Sequence, residues 1–263
     1  RPECLILRPC PAYREIMPRL LTYNVHRCVG TDKRLDVDRI VAVIGQHEPD
    51  VVCLQELDVG RLRTGKVDQA EAIAEGLAMT SRFHPAMRVE AELYGDAILT
   101  PHPERLIRAD ALPTVRGIPG LEPRGALWSE IMIDGAAVNV LNTHLGLVPR
   151  EQRLQAAALV GSGWLGGCQG PALLAGDFNA TSITRPYQTL ARRLDDCQRR
   201  LDLKPSVKTF PSSFPAIRID HCFVSSEIRV TGVRSDFSPL ARVASDHLPL
   251  IIDFDIVPDA DPA

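Results

Sequence analysis

Apolar residues follow two rhythms along this chain: short dense runs, and runs spaced like one face of a helix. The first kind predicts strands and the second predicts helices. RLLTYNV, starting at Arg19, is a β-type run. Asp36 then caps a helix whose Val37, Ile40, Val41 and Ile44 share one side. Pro49 closes the connection, and VVCLQ (51–55) predicts a buried strand. A second helix is predicted over 66–77, with Ile73, Ala74 and Leu77 on one face. The stretch 80–125 is rich in Pro, Arg and His and offers only short strand pieces at 95–99 and 104–109. Apolar runs at 126–133 and 137–143 then flank Asp134-Gly135, a strong hairpin signal.

The last third continues the alternation. A helix is predicted over 150–162 and a strand at LLAG (173–176). A polar helix carrying Leu190, Leu194 and Leu201 follows. Strand candidates at 219–224, 228–233 and 248–254 close the chain. Many strands with interspersed helices predict an α/β sandwich, its sheets face to face and its helices outside. No linker or internal repeat divides the 263 residues, which suits one domain. Residues 1–18, with Pro2, Pro9, Pro11 and Pro18, read as an arm, and 256–263 as a tail.

Composition narrows the function only at its edges. Hydrophobic residues at 45% and charged residues at 24% exclude wholesale disorder. A formal net charge of −3 gives no global pull toward nucleic acid, so that partner is allowed but not favoured. Aromatic residues, at 5%, make a poor base-stacking platform. The seven cysteines include no C-x-x-C, which predicts reduced thiols and a cytoplasmic location. Cys53, inside an apolar run, reads as a small buried hydrophobe. No apolar run reaches the roughly 18–20 residues of a membrane span. RPECLILRPC is too short in apolar character for a secretory signal, and the missing initial Met suggests a processed or trimmed form. Oligomeric state is left open.

The chemistry gathers where the predicted strands stop. Asn24 ends the first, Gln55-Glu56 the second, and Thr143-His144 the second arm of the hairpin. Gly176-Asp177-Phe178-Asn179 follows LLAG, Asp220 opens a strand, and Ser245-Asp246-His247 precedes the last one. Asp, Glu, Asn and His gathered around one cleft are what a hard divalent cation requires, and they also supply a base of near-neutral pKa.

The ordered set Y-N (23–24), L-Q-E (54–56), T-H-L (143–145), G-D-F-N (176–179), I-D-H (219–221) and S-D-H-L-P (245–249) resembles the endonuclease/exonuclease/phosphatase superfamily. YNVHRCVG and E-P-R-G-A-L (122–127) are similar to a less characterised bacterial branch of it. The resemblance covers about residues 19–255, taken as the catalytic domain. It implies the deoxyribonuclease I-like fold, a four-layer α/β sandwich of two mostly antiparallel sheets. It also implies Mg²⁺, with Mn²⁺ as a substitute, held by Glu56, Asn24 and Asp246. Asp177 and Asn179 match the pair that positions the attacking water and the scissile phosphate. His247 matches the catalytic histidine and Asp220 the carboxylate that orients it. His144 matches a phosphate-contacting histidine, and Arg124 a phosphate-contacting arginine. Asp96 stands where the superfamily often has Asn, and its role stays open.

Elementary chemistry supports the same division of labour. Cleaving a phosphodiester takes an in-line nucleophile, charge neutralisation on the oxygens, and help for the leaving group. An Asp–His pair fixes the imidazole tautomer and raises its basicity. Either His247 or Asp177 takes the proton of the water. The expected activity is phosphodiester hydrolysis, of nucleic acid or of a small or lipid-linked diester. A phosphomonoesterase acting on a sugar or inositol phosphate is the alternative, and a silent binding module is the alternative of another class. Arg192, Arg193, Arg199 and Arg200 read as a solvated mixed-charge face beside Asp195 and Asp196. His221 alternates away from the site. GSGWLGG (161–167) is the only hint of an apolar loop and reads as a buried turn.

Overall fold

The computed structural model describes residues 17–115 and 117–257. Most of the predicted arm and tail, with Cys4 and Cys10, lies outside these residues. Strand β1 (Arg19–Asn24) leads through α1 (Val37–Gly45) to β2 (Val51–Val59). Then come α2 (Gln69–Gly76), β3 (Thr80–Val89), β4 (Glu92–Thr100) and β5 (Glu104–Ala111). The hairpin of β6 (Gly125–Ile133) and β7 (Ala136–His144) precedes α3 (Pro149–Leu159) and β8 (Ala172–Asp177). The chain continues with α4 (Arg185–Leu190), β9 (Asp195–Asp196), α5 (Cys197–Arg200) and β10 (Asp220–Val224). It finishes with β11 (Ile228–Ser235), α6 (Pro239–Ala244) and β12 (Leu250–Ile256).

Two six-stranded sheets result, in the orders β11-β12-β1-β2-β4-β3 and β5-β6-β7-β8-β10-β9. Each is antiparallel except for one parallel pair at its centre, β1 with β2 and β7 with β8. The core between them contains Leu20, Cys53, Leu127, Val140, Leu173, Cys222 and Ile252. Leu21, Val52 and Leu54 turn the other way and pack with Ile40, Ile44 and Ile73 of α1 and α2. Leu141, Leu174 and Phe223 do the same with Ala156 and Leu159 of α3 and Tyr187 of α4. Central strands covered on both faces read as unbroken apolar runs, which is why VVCLQ and LLAG stood out. The architecture is the deoxyribonuclease I-like α/β sandwich with helices outside.

Local signals act as their chemistry dictates. The Asp36 carboxylate accepts from Arg39 N at 2.9 Å and starts α1. Asp134 and Gly135 both take positive φ, 50° and 82°, as a tight hairpin turn requires. Elsewhere the expected elements need correction. The stretch 80–111 is not a set of short pieces but three full strands, β3 to β5. Strand β3 lies at a sheet edge and accommodates Pro85 through a register shift between Pro85 and Met87. Only an edge or a bulge tolerates a proline there, so the apolar pattern is diluted. The single polar helix expected around Leu190–Leu201 is two short helices separated by β9. Asp196 breaks it: its carboxylate is buried, accepts from Tyr187 Oη at 3.0 Å, and caps α5 through Gln198 N.

Gly176 is the closest approach between β8 and β7. Its φ is +147°, and a Cβ there would collide with the Thr143 carbonyl oxygen. Gly176→Ala should therefore destabilise the fold by about 3 kcal/mol, combining backbone strain with overpacking. Urea unfolding checks this, and a midpoint equal to that of the wild type would contradict it.

Candidate active site

The site forms where the two central parallel pairs end side by side. Asn24 ends β1, Glu56 follows the last β2 residue paired with β1, and His144 and Asp177 end β7 and β8. His144 and Asp177 are register partners, and so are Asp177 and Asp220 at the start of β10. The carboxyl ends of central parallel strands are where α/β sheets commonly take ligands. The turn before β12 adds Asp246 and His247, tied to β1 by Ser245 Oγ donating to Asn24 O at 2.8 Å.

Glu56 owes its position to a bulge. The sequence suggests that β2 stops at Gln55, yet the strand runs on to Val59. Its register against β4 slips between Leu54 and Leu57, and Glu56 takes φ +62°. Along this strand Cys53 faces the other sheet and Leu54 faces the helices. Regular alternation would turn Glu56 under the helices, and the bulge redirects it into the cleft. Asp96 on β4 stands opposite the bulge, beside the Glu56 backbone N–H. Burial pushes the Asp96 carboxyl up to about 7 against the pull of Arg124. The residue left open by the sequence thus lies buried against the bulge that aims Glu56.

Asn24 bridges the sheets. Its Nδ2 donates to Glu56 Oε1 at 3.0 Å and to Asp177 Oδ2 at 3.1 Å, while its Oδ1 accepts His26 N. The third residue expected beside them, Asp246, follows Ser245 in the turn before β12. Asp246 is 41% exposed in its side chain and lies 3.8 Å from His26 Nδ1. His26, Arg27 and Cys28 all have positive φ, and Gln69 Nε2 holds the Arg27 carbonyl at 2.7 Å. Sequence reasoning did not single out His26, because nothing local marks this left-handed turn.

Asp220 and His247 form the acid–base pair. His247 Nδ1 lies 2.9 Å from Asp220 Oδ2 and donates to it, leaving Nε2 facing Asp177 Oδ2 at 3.6 Å. Thr209 Oγ1 donates to the same Asp220 oxygen, and Phe210 packs against the imidazole. Thr209 and Phe210 lie in the long connection before β10, where the sequence shows no periodicity to reveal them. Burial disfavours a charged His247 ring, but Asp220 and Asp177 outweigh it and push the ring up to about 10. Burial drives the Asp177 carboxyl upward, partly countered by His247.

One ligand-type atom each from Asp177, Asp220 and His247 lies within 4.8 Å of the others. This buried Asp-Asp-His cluster is capable of coordinating a metal ion. The residues fit a divalent cation in one further respect. Asp220 Oδ1 is buried without a hydrogen-bond partner, an oxygen whose desolvation nothing in the protein offsets.

His144 is held differently. Arg124 Nη1 donates to His144 Nδ1 at 3.0 Å. The Arg124 guanidinium and the Asn179 amide nitrogen are both donors and approach different ring nitrogens, so a neutral ring accepts from only one of them. Burial, then Arg124 and His247, hold His144 well below the usual histidine range. Its Nε2 lies 3.4 Å from Asp177 Oδ2 and 3.0 Å from Asn179 Nδ2. Asn179, at φ 48°, donates from its backbone to Asp177 Oδ1 and from Nδ2 to Leu145 O. His221, as expected, lies outside the cluster: its Nε2 meets Ala180 O at 2.8 Å, beneath Phe178 and Tyr187.

The opposed electrostatics of the two histidines can be measured. In metal-free protein, NMR should find His144 neutral and His247 still protonated well above the usual histidine range. Asp220→Asn should bring the His247 midpoint down by at least about one pH unit, as loss of a buried carboxylate partner requires. A His247 midpoint unmoved by that change would contradict the pairing.

Three comparisons identify the chain's relatives. The sequence model of the Endonuclease/Exonuclease/phosphatase family matches residues 21–247. The uncharacterized protein YbhP of Escherichia coli K12 is 27% identical over 249 residues, covering 88% of this chain and 94% of its own. A solved endonuclease/exonuclease/phosphatase from Beutenbergia cavernae superposes with a TM-score of 0.71 at 23% identity, covering 91% of this chain and 72% of its own. A mannosyl-6-phosphatase of Bacteroides thetaiotaomicron does so with a TM-score of 0.69 at 19% identity, covering 91% of this chain and all of its own (100%). With the family match spanning most of the chain, the protein belongs to the endonuclease/exonuclease/phosphatase family.

Proposed function

We propose that the protein is a Mg²⁺-dependent phosphodiester hydrolase working by in-line attack of water on phosphorus. The observation that carries this reading is the Asp220–His247 pair, held at 2.9 Å and facing Asp177 across a cleft that Glu56 enters from the opposite sheet. Glu56 and Asn24, with Asp246 turning in beside them, would hold Mg²⁺ or Mn²⁺. The bound ion would neutralise charge on the phosphoryl oxygens and stabilise the leaving oxygen.

The remaining work falls to the protein's own groups. Asp177 and Asn179 position the water, and His247, oriented by Asp220, exchanges protons with it and with the leaving group. His144, kept neutral by burial and by Arg124, offers Nε2–H to a non-bridging oxygen, as does the Asn179 amide. Arg124 keeps a buried Nε–H without a partner, which supports a direct phosphate contact as well. The intact polar set argues against a silent binding module. Soluble phosphomonoesters, the named substrate type of the Bacteroides relative, are the comparison substrates. The five described cysteines are free thiols, which supports a reducing, cytoplasmic setting. Among the described residues, no helix is long and apolar enough to cross a membrane.

Glu56→Gln and His247→Ala should each lower Mg²⁺-dependent hydrolysis of bis-p-nitrophenyl phosphate by about 10²–10⁴-fold. Circular dichroism and the unfolding midpoint should stay near wild type. Wild-type rates in both variants would remove the site assignment. Faster turnover of p-nitrophenyl phosphate than of the diester would favour a monoesterase.

A further inference from the structure

The sequence points to Trp164 and Leu165 as the one hint of an apolar loop, but both are buried. The exposed apolar residues lie elsewhere. Leu62, Leu147, Ile183 and Phe214 are 72–84% exposed, more than any other large hydrophobic residue among those described. Each sits on a connection that leaves or enters the candidate site. Leu62 follows β2 beyond Glu56, and Leu147 lies three residues after His144. Ile183 lies four residues after Asn179, and Phe214 six residues before Asp220. Leu62 sits on a connection of the sheet that carries Glu56, and the other three sit on connections of the sheet that carries Asp177.

Every tip has a cation close by in the chain. Lys66 shares the loop of Leu62, and Arg150 follows Leu147. Arg185 follows Ile183, and Lys208 precedes Phe214. All four are exposed, and among the described residues none takes part in an ion pair. The acids on the same connections are engaged: Asp68 caps α2 and Asp202 pairs with Lys204. A chain of net charge −3 therefore carries unpaired, exposed cations close in sequence to its most exposed apolar side chains.

Apolar side chains standing in water beside unpaired Lys and Arg match the interfacial zone of an anionic bilayer. The tips enter the acyl boundary while the cations meet headgroup phosphates. Nucleic acid fits less well, because three of the four tips are aliphatic and cannot stack on bases. A protein partner would call for a contiguous apolar patch rather than separate tips. We propose that this face docks on an anionic lipid bilayer and that the phosphoester it hydrolyses is carried by a lipid headgroup. The second half of this proposal rests on the hydrolase reading above.

Sedimentation of the full chain with vesicles tests it. Equal mixtures of phosphatidylcholine and phosphatidylglycerol should bind at least about tenfold better than phosphatidylcholine alone. Joint Leu147→Ser, Ile183→Ser and Phe214→Ser should weaken that binding about tenfold or more. The Arg150→Glu/Arg185→Glu pair should weaken it similarly. Hydrolysis of bis-p-nitrophenyl phosphate and the unfolding midpoint should be unchanged in both variants. Absence of vesicle binding by the wild type would overturn the proposal, as would vesicle binding that neither variant alters. Tight, salt-sensitive binding of duplex DNA in its place would also overturn it. Turnover of the soluble diester in those cases would leave the hydrolase reading standing. Vesicle binding without hydrolysis of either soluble or lipid phosphoester would support the docking surface and overturn the lipid-substrate half.

Discussion

Everything at the site depends on two sheets whose central strands end at the same level. Hydrophobic packing between sheets is non-directional and tolerates sliding. A pair of buried amides supplies the missing direction. Gln55 Nε2 donates to Asn142 Oδ1 at 2.7 Å across the core, and Asn142 Nδ2 donates back to Leu54 O and Ala97 O at 2.8 Å. Gln55 also reaches Thr22 Oγ1, so β1, β2, β4 and β7 meet in one network directly beneath the cleft. Breaking such a network leaves buried polar groups unpaired, and it therefore specifies register. Asn24 and Glu56 are thereby brought against Asp177, which neither sheet could arrange alone.

That alignment concentrates negative charge where water is scarce. Glu56, Asp96, Asp177 and Asp220 crowd one end of the sandwich, with Arg124 and His247 as the nearby cations. Buried carboxylates are unfavourable unless paired. The protein meets part of the cost with Asn24 Nδ2, Thr209 Oγ1 and backbone N–H groups, and leaves Asp220 Oδ1 unmet. Backbone strain gathers at the same place, with positive φ at Glu56, Asn179 and His26 through Cys28. Such conformations persist only where the surrounding contacts over-determine them.

Much of this was legible in the chain. Unbroken apolar runs announced strands buried on both faces, and Asp134-Gly135 announced its hairpin. Polar residues at strand ends named the cleft before its geometry was visible. Other features could not be read because they are tertiary. The proline in β3 is harmless only because that strand is an edge. The bulge at Glu56 forms against β4, with Asp96, forty residues away in the chain, opposite it. Asp196 breaks a helix-like stretch because Tyr187 and Arg218 converge on it. Arg124 reads as a phosphate contact, yet its first partner is the His144 ring. The exposed apolar tips carry no periodic signal, since a single apolar residue in a loop looks the same whether buried or not.

The central claim is that groups from two sheets act as one catalytic unit. A double-mutant cycle on bis-p-nitrophenyl phosphate hydrolysis tests it most directly, with Glu56→Gln in one sheet and Asp220→Asn in the other. Residues that work as a unit are strongly non-additive, so the double variant should be no slower than the worse single variant, to within about threefold. Losses that multiply, with each variant reducing the rate by its full factor in the presence of the other, would contradict a single site shared across the sheets.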